Sequence, residues 1–225
     1  PGAIDVQVHF REPGATHKGD IASESAAAAL GGVTSYMDMP NNNPPACTID
    51  AIEQKYAIAS QCSPANYSFY LGASNENIGE ILKLDPKTNC GVKLFMGSST
   101  GNMLVDNEQA LESIFRSAPT LIATHCEDET SIREALARAK EKYGENIPIA
   151  EHPHIRTREA CIKSTAKAIE MALKSGAQLH ILHTSTADEV EMVLEARKKN
   201  PNISFEVCVH YLWFCDEDYP KYGTH

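Results

Sequence analysis

Short apolar runs alternate with longer stretches of helical periodicity along the whole chain. Ile4–Phe10 alternates apolar and polar positions and predicts a strand. An Ala-rich stretch, Ile21–Leu30, predicts a helix that Gly31-Gly32 stops. Thr34–Met39 is the second strand, ended by Pro40 and the loop Asn41-Asn42-Asn43-Pro44-Pro45. A helix over Ile49–Ser60, a strand over Tyr67–Ala73 and a helix over Glu76–Leu84 follow. Gly91–Met96 is the next strand, and Asp106–Arg116 a helix with Asp106 as its N-cap. Leu121–Cys126 is the fifth strand; helices over Glu129–Tyr143 and Thr157–Ser175 are separated by a loop rich in Pro and His. Leu179–His183, a helix over Ala187–Asn200, and Ser204–His210 complete the pattern.

Strands that alternate with helices of this length indicate parallel βαβ units, so the fold class is α/β. Seven strands in this span fit a (β/α)8 barrel of the TIM type, incomplete by its last unit. The competitor, a doubly wound open sheet, usually carries a GxGxxG turn after its first strand, and this sequence has none there.

Composition narrows the classes of function. The chain has 225 residues, a formal net charge of −10, 42% hydrophobic and 22% charged residues. That is enough apolar material for a core, and the acidic balance argues against nucleic acid or an anionic membrane as partner. No apolar run approaches the roughly 18 residues of a membrane span. The seven cysteines form no CxxC pair, which reads as reduced thiols of a cytoplasmic protein. No basic-then-apolar leader opens the chain, and a start at Pro1 with an end at His225 suggests part of a longer polypeptide.

In a barrel the chemistry belongs at the C-terminal strand ends. Asp5, Gln7, His9 and Arg11 share parity on strand 1, and strand 2 ends at Asn41. Strand 4 carries Lys93; strands 5, 6 and 7 end at His125, His183 and His210. A single strand-end histidine is usually a structural hydrogen bonder. Three of them with a strand lysine, at equivalent ends of four strands, suit a divalent cation such as zinc. An uncharged lysine amine can add CO2 to form a carbamate able to bridge two cations, which would account for Lys93 in an apolar strand.

These residues also carry a resemblance. Asp5-Val6-Gln7-Val8-His9-Phe10-Arg11-Glu12-Pro13-Gly14 resembles the opening motif of dihydroorotases, in the amidohydrolase superfamily, normally D-x-H-x-H-x-R-E-P-G. Met39-Pro40-Asn41, Gly91-Val92-Lys93-Leu94-Phe95, Thr124-His125-Cys126-Glu127-Asp128 and Leu182-His183-Thr184-Ser185 match later family segments in order. The resemblance implies a metal-dependent hydrolase barrel over residues 1–225, without its eighth strand and without the small flanking β domain. It implies reversible hydrolysis of dihydroorotate to N-carbamoyl-L-aspartate, a step of pyrimidine synthesis. It further implies one or two Zn2+ ions, with His9 as a ligand, Lys93 carboxylated and bridging, and His125 and His183 on the second metal. Arg11 and Asn41 would bind the substrate's carboxylate and ring. These ligands are expected to converge.

Two departures from the pattern matter. Gln7 stands where the family has its first histidine, and a neutral amide oxygen is a poor zinc ligand beside imidazole, so one metal position is expected to be weaker. The family's proton-shuttling aspartate would fall beyond His225; Asp216 and Asp218 read as a solvated turn. The 225-residue chain alone is therefore expected to be inactive. His152, His154, Arg156 and Glu159 resemble a family stretch that fixes a loop, with Thr157 in place of proline. Glu127 and Asp128 read as the acidic start of a helix, His210 as a support to the site or a packed core residue, and His17, His180 and His225 receive no role.

Allantoinase- or dihydropyrimidinase-like activity is one alternative, which Arg11 opposes because those substrates lack the carboxylate a guanidinium fork suits. A non-catalytic homologue, for which Gln7 speaks, is a second, and a plain metal-binding scaffold a third. The expected partner is a small-molecule substrate, with self-association open.

Overall fold

The computed structural model describes residues 1–97 and 103–224. The strands are β1 (Ala3–Val8), β2 (Val33–Asp38), β3 (Asn66–Gly72), β4 (Gly91–Phe95), β5 (Ile122–His125), β6 (Leu179–Ile181) and β7 (Ile203–Phe205). The helices are α1 (Ile21–Leu30), α2 (Ile49–Cys62), α3 (Ile78–Ile81), α4 (Glu108–Ser117), α5 (Glu129–Tyr143), α6 (His152–Ile155), α7 (Arg158–Ser175), α8 (Ala187–Arg197) and α9 (Tyr219–Tyr222). The strands follow one another in the sheet as they do in the chain, β1 to β7, and the described pairings are parallel. This is the α/β order that the alternation predicts.

The chain divides into two compact units. The first holds Pro1–Phe95 and the described part of Ser99–Ala123. Its core is built on β3 and β4, where Phe69, Leu71, Val92 and Leu94 are fully buried together with Ile21 of α1 and Ile52 of α2. All five residues of β4 are buried, which is the continuous apolar pattern of a strand covered on both faces. The second unit holds Met96 and Gly97 together with the chain from Thr124 onward, and buries Leu179, Ile181 and Ile203 of its strands along with Ala168 and Ala172 of α7 and Val193 of α8.

Helix starts follow from short polar side chains. Asp20, Thr48, Asp128, Thr157 and Thr186 each accept a hydrogen bond from a first-turn N–H of the helix that follows. At α4 the cap is Asn107, whose side chain accepts from Ala110 N at 3.0 Å. Asp106, the residue expected there, instead accepts from the Asn75 amide.

The seventh strand is shorter than its alternation predicts. Glu206 closes the pairing, with its N–H on Ile181 O and its carbonyl on Thr184 N. The chain then turns into a 3-10 segment, Val209–Leu212, closed by Tyr211 N on Cys208 O. Val209 is 83% exposed, so the apolar parity of Val207 and Val209 has no layer to fill. His210 therefore lies in this turn and not at a strand end.

Candidate active site

In the first unit, parity along strand 1 ends with β1 at Val8. Beyond it Arg11 takes a left-handed backbone, φ 69°, in the turn that leads to Gly14. The turn is laced to the loop after β2. Met39 N donates to Val8 O at 2.9 Å, Asn42 Nδ2 to Glu12 O at 2.8 Å, and Asn43 N to Pro13 O at 3.2 Å. Gly14 has φ 86°, and a Cβ there would fall 1.7 Å from Asn43 O, so the motif's glycine is required by the approach of the two loops. The loops bearing Arg11 and Asn41 are thus a single piece of structure.

A buried cation fixes this piece from behind. Lys55 of α2 places its ammonium 2.7 Å from Asp38 Oδ2, and donates to Met39 O and Asn42 Oδ1, each at 2.9 Å. The other Asp38 oxygen accepts from Phe10 N at 2.9 Å. Burial pushes the Asp38 carboxyl up and the Lys55 ammonium down, and the charge of each opposes the shift in the other. The sequence reading missed this pair. Its signal was the spacing Ile52, Lys55, Ala59, which puts Lys55 on the buried face of α2.

Two amide oxygens here are buried without a hydrogen-bond partner among the described residues: Gln7 Oε1 and Asn41 Oδ1. The half-buried Arg11 guanidinium has no carboxylate partner among the described residues either. Lys93 is fully buried on β4, its nitrogen 4.4 Å from the centre of the Phe95 ring. His9 is half-buried just past β1.

The second unit brings His125 and His183 together. His125 Nδ1 and His183 Nε2 are 3.0 Å apart. Two imidazoles on one tetrahedral zinc, with bonds of about 2.05 Å, hold their nitrogens about 3.3 Å apart, so this spacing suits a shared cation. His183 has a left-handed backbone, φ 38°, with its N–H 3.3 Å from Glu206 Oε1. On the other side of His125, Nε2 meets Glu127 Oε2 at 2.6 Å. Glu127 in turn takes a two-pronged bond from Arg156, with Nε on Oε1 at 2.8 Å and Nη2 on Oε2. Burial alone would raise the Glu127 carboxyl, but these bonds and charges outweigh it and hold it at about 2. Glu127 is thus no helix-start residue. Asp128 caps α5, and Glu127 reaches back to the histidine.

A cavity of about 880 Å³ opens beside this cluster. His125, Glu127, Arg156, His183, His210 and Tyr211 are among its lining residues. His210 thus borders the same space as the histidine pair, although it sits in a turn. Among the described residues, no three His, Cys, Asp or Glu side chains gather closely enough to hold a metal unaided. A lysine falls outside that donor set, as does an amide oxygen.

Residues 1–189 match the family model described as Dihydro-orotase-like. The chain belongs to the dihydro-orotase-like family. Among curated relatives of this family member, the dihydroorotase of Pyrococcus abyssi is 34% identical across 98% of the chain and 47% of its own length. The allantoinase of Deinococcus radiodurans is 31% identical across the whole chain and 51% of its own length. The dihydro-orotase-like chain thus spans about half the length of these relatives. Among solved structures, an L-hydantoinase (dihydropyrimidinase) from Arthrobacter aurescens superposes with a TM-score of 0.92 at 26% identity, over 99% of this chain and 50% of that one. The family, the α/β fold and a hydrolase ancestry are therefore common ground; the named substrates of these proteins differ.

Proposed function

We propose that this chain carries the substrate- and metal-binding half of a dihydroorotase, acting between dihydroorotate and N-carbamoyl-L-aspartate in pyrimidine synthesis. The observation that carries the reading is the pair of unspent polar groups on the laced loops. Arg11 offers a guanidinium fork with no carboxylate partner among the described residues, and Asn41 a buried acceptor oxygen. A cyclic amide that bears a carboxylate supplies both complements: its anion for Arg11 and its ring N–H for Asn41 Oδ1. The buried Lys55–Asp38 pair holds both loops before substrate arrives, which lowers the ordering cost of binding.

His125 and His183 would hold a divalent cation, Zn2+ in the first instance, and His9 is a further ligand in this reading. Lys93 would act as a carbamate, which removes the cost of a bare ammonium in a fully buried strand. A bound cation would lower the pKa of a water and polarise the ring carbonyl. Gln7 offers a neutral oxygen in place of an imidazole, so metal occupancy is expected to be uneven. The protein acts in the cytoplasm in this reading; no helix among the described residues is long and apolar enough to cross a membrane.

A second reading, an allantoinase-type hydrolase of another cyclic ureide, is favoured by the similarity to the Deinococcus radiodurans enzyme. A substrate panel on the full-length protein separates the two: dihydroorotate, allantoin, hydantoin and dihydrouracil, with added Zn2+. Dihydroorotate turnover is expected, and Arg11→Lys should lower its kcat/KM by about 10–100-fold, because lysine keeps the charge and loses the fork. Turnover of allantoin alone, or an Arg11→Lys variant with unchanged kinetics, would sink the carboxylate assignment.

A further inference from the structure

The geometry points to Arg156 as a positioning residue that, through Glu127, fixes the proton of His125 on Nε2 and turns Nδ1 toward His183. The inference rests on the metal-binding reading of His125 and His183 and adds to it the device that orients the ligand.

Both Glu127 oxygens accept from the Arg156 guanidinium, the fork-to-carboxylate pairing, and a carboxylate so paired only accepts. At 2.6 Å the proton between Glu127 Oε2 and His125 Nε2 therefore belongs to the ring. A neutral imidazole carries one N–H, so Nδ1 is left with its lone pair. That lone pair faces His183 Nε2 at 3.0 Å. A metal-ligating histidine commonly donates its other N–H to a carboxylate, which sets tautomer and ring plane together.

Glu127 could do this from many rotamers were it not held. Arg156 grips both of its oxygens in the planar fork that a carboxylate matches. Arg156 is itself set by its place in the chain. It follows α6, with its N–H on His152 O at 2.9 Å, and Thr157 beside it caps α7. The backbone of Glu127 is pinned as well: a Cβ on Gly97 would lie 2.0 Å from Glu127 O, so the segment after β4 packs directly on this turn. The stretch His152–Arg156 thus does more than fix a loop: it sets one atom of one histidine 31 residues earlier in the chain. The Arg156 side chain remains 38% exposed, so replacing it removes no core packing.

The test uses the full-length protein, the variants Arg156→Met and Arg156→Lys, and Zn2+ as the probe. Histidine side-chain NMR of the metal-free protein at pH 8 reports the tautomer of His125. A chelator competition reports Zn2+ affinity, and a thermal melt reports folding. The parent should show the Nε2–H form. Arg156→Met should melt normally, show mixed tautomers and bind Zn2+ about tenfold or more weakly, with Arg156→Lys between the two. An Nδ1–H form in the parent overturns the inference. So does a folded Arg156→Met with the parent's tautomer and an affinity within about twofold. Should Arg156→Met fail to fold, Arg156→Lys decides by the same two readouts. A parent that shows the Nε2–H form, loses it in Arg156→Met and binds no Zn2+ would remove the metal reading and leave the positioning role standing.

Discussion

At the scale of single residues, the side chain with most to hold is a buried ammonium, that of Lys55. Lys55 neutralises Asp38 and ties down Met39 O and Asn42 Oδ1 in a site with no solvent access. Lys55→Met leaves a buried carboxylate without its counter-charge, a change that typically costs about 3–5 kcal/mol. A urea titration of Lys55→Met should therefore show a large fall in the midpoint; a midpoint near the parent's would mean that the pair is dispensable. The cysteines make a second residue-scale case. All seven are free thiols. Burial pushes Cys47 up to about 11, and Cys90 and Cys161 to about 12, so at pH 8 their reactive thiolate forms are almost absent. Because the thiolate is the nucleophile, iodoacetamide at pH 8 should label exposed Cys215 first. The other three should react only as pH rises past 10 or the fold opens, and mass spectrometry of the alkylated peptides reads the order. The candidate site was legible at this scale as a set of positions, wherever a motif is contiguous, as in His9-Phe10-Arg11, or where a histidine ends a strand, as at His125. The bonds from Arg156 to Glu127 and from Lys55 to Asp38 were not legible. They join residues 29 and 17 positions apart, and no local period announces them.

At the scale of elements, hydrophobic periodicity placed nearly every strand and long helix, with ends moved by a few residues, while the one cap assigned from sequence, Asp106, fell a residue early. The failure at β7 is instructive, because alternation shows only that a strand could bury one face, and Val209 has nothing to bury against. Helix α8 shows how strongly a cap can be written into sequence. Thr186 Oγ1 accepts from Glu189 N at 3.2 Å and donates to Glu189 Oε2 at 2.9 Å. Glu189, buried, also receives Thr165 Oγ1 from α7 at 2.8 Å. The cap therefore joins two helices as well as starting one. Thr186→Ala should destabilise the protein by about 1–2 kcal/mol, with Thr186→Ser close to the parent. Chemical denaturation checks this, and equal stability of Ala and Ser variants would show the cap to be idle.

At the scale of the whole molecule, β1 and β7 stand at the two ends of the strand order and each has a single neighbouring strand. Backbone groups on an uncovered edge pair readily with another chain. The exposed run Leu212, Trp213 and Phe214 adds apolar surface in the second unit. Residues 1–225 expressed alone are therefore expected to self-associate and to lack dihydroorotase activity. Size-exclusion chromatography with light scattering, together with the same substrate panel, tests both; a monodisperse, active preparation would contradict them. The parallel, sequential order was legible from the alternation of elements, since successive strands joined by helices leave few other arrangements. The division of the chain into two compact units was not, because no change in composition or linker-like sequence marks it.

Among the described residues, two that are not glycine adopt a left-handed backbone, Arg11 and His183. Such a conformation costs an ordinary side chain about 1 kcal/mol or more, and glycine very little. Selection for folding alone would drift toward glycine or asparagine at both positions. Their present occupants are the guanidinium and the imidazole to which the proposed dihydroorotase reading gives the substrate carboxylate and a metal ion. On the proposed reading, inheritance at these two positions is a contest between heat resistance and catalysis, and a laboratory evolution that rewards only survival of heating should lose Arg11 and His183 early.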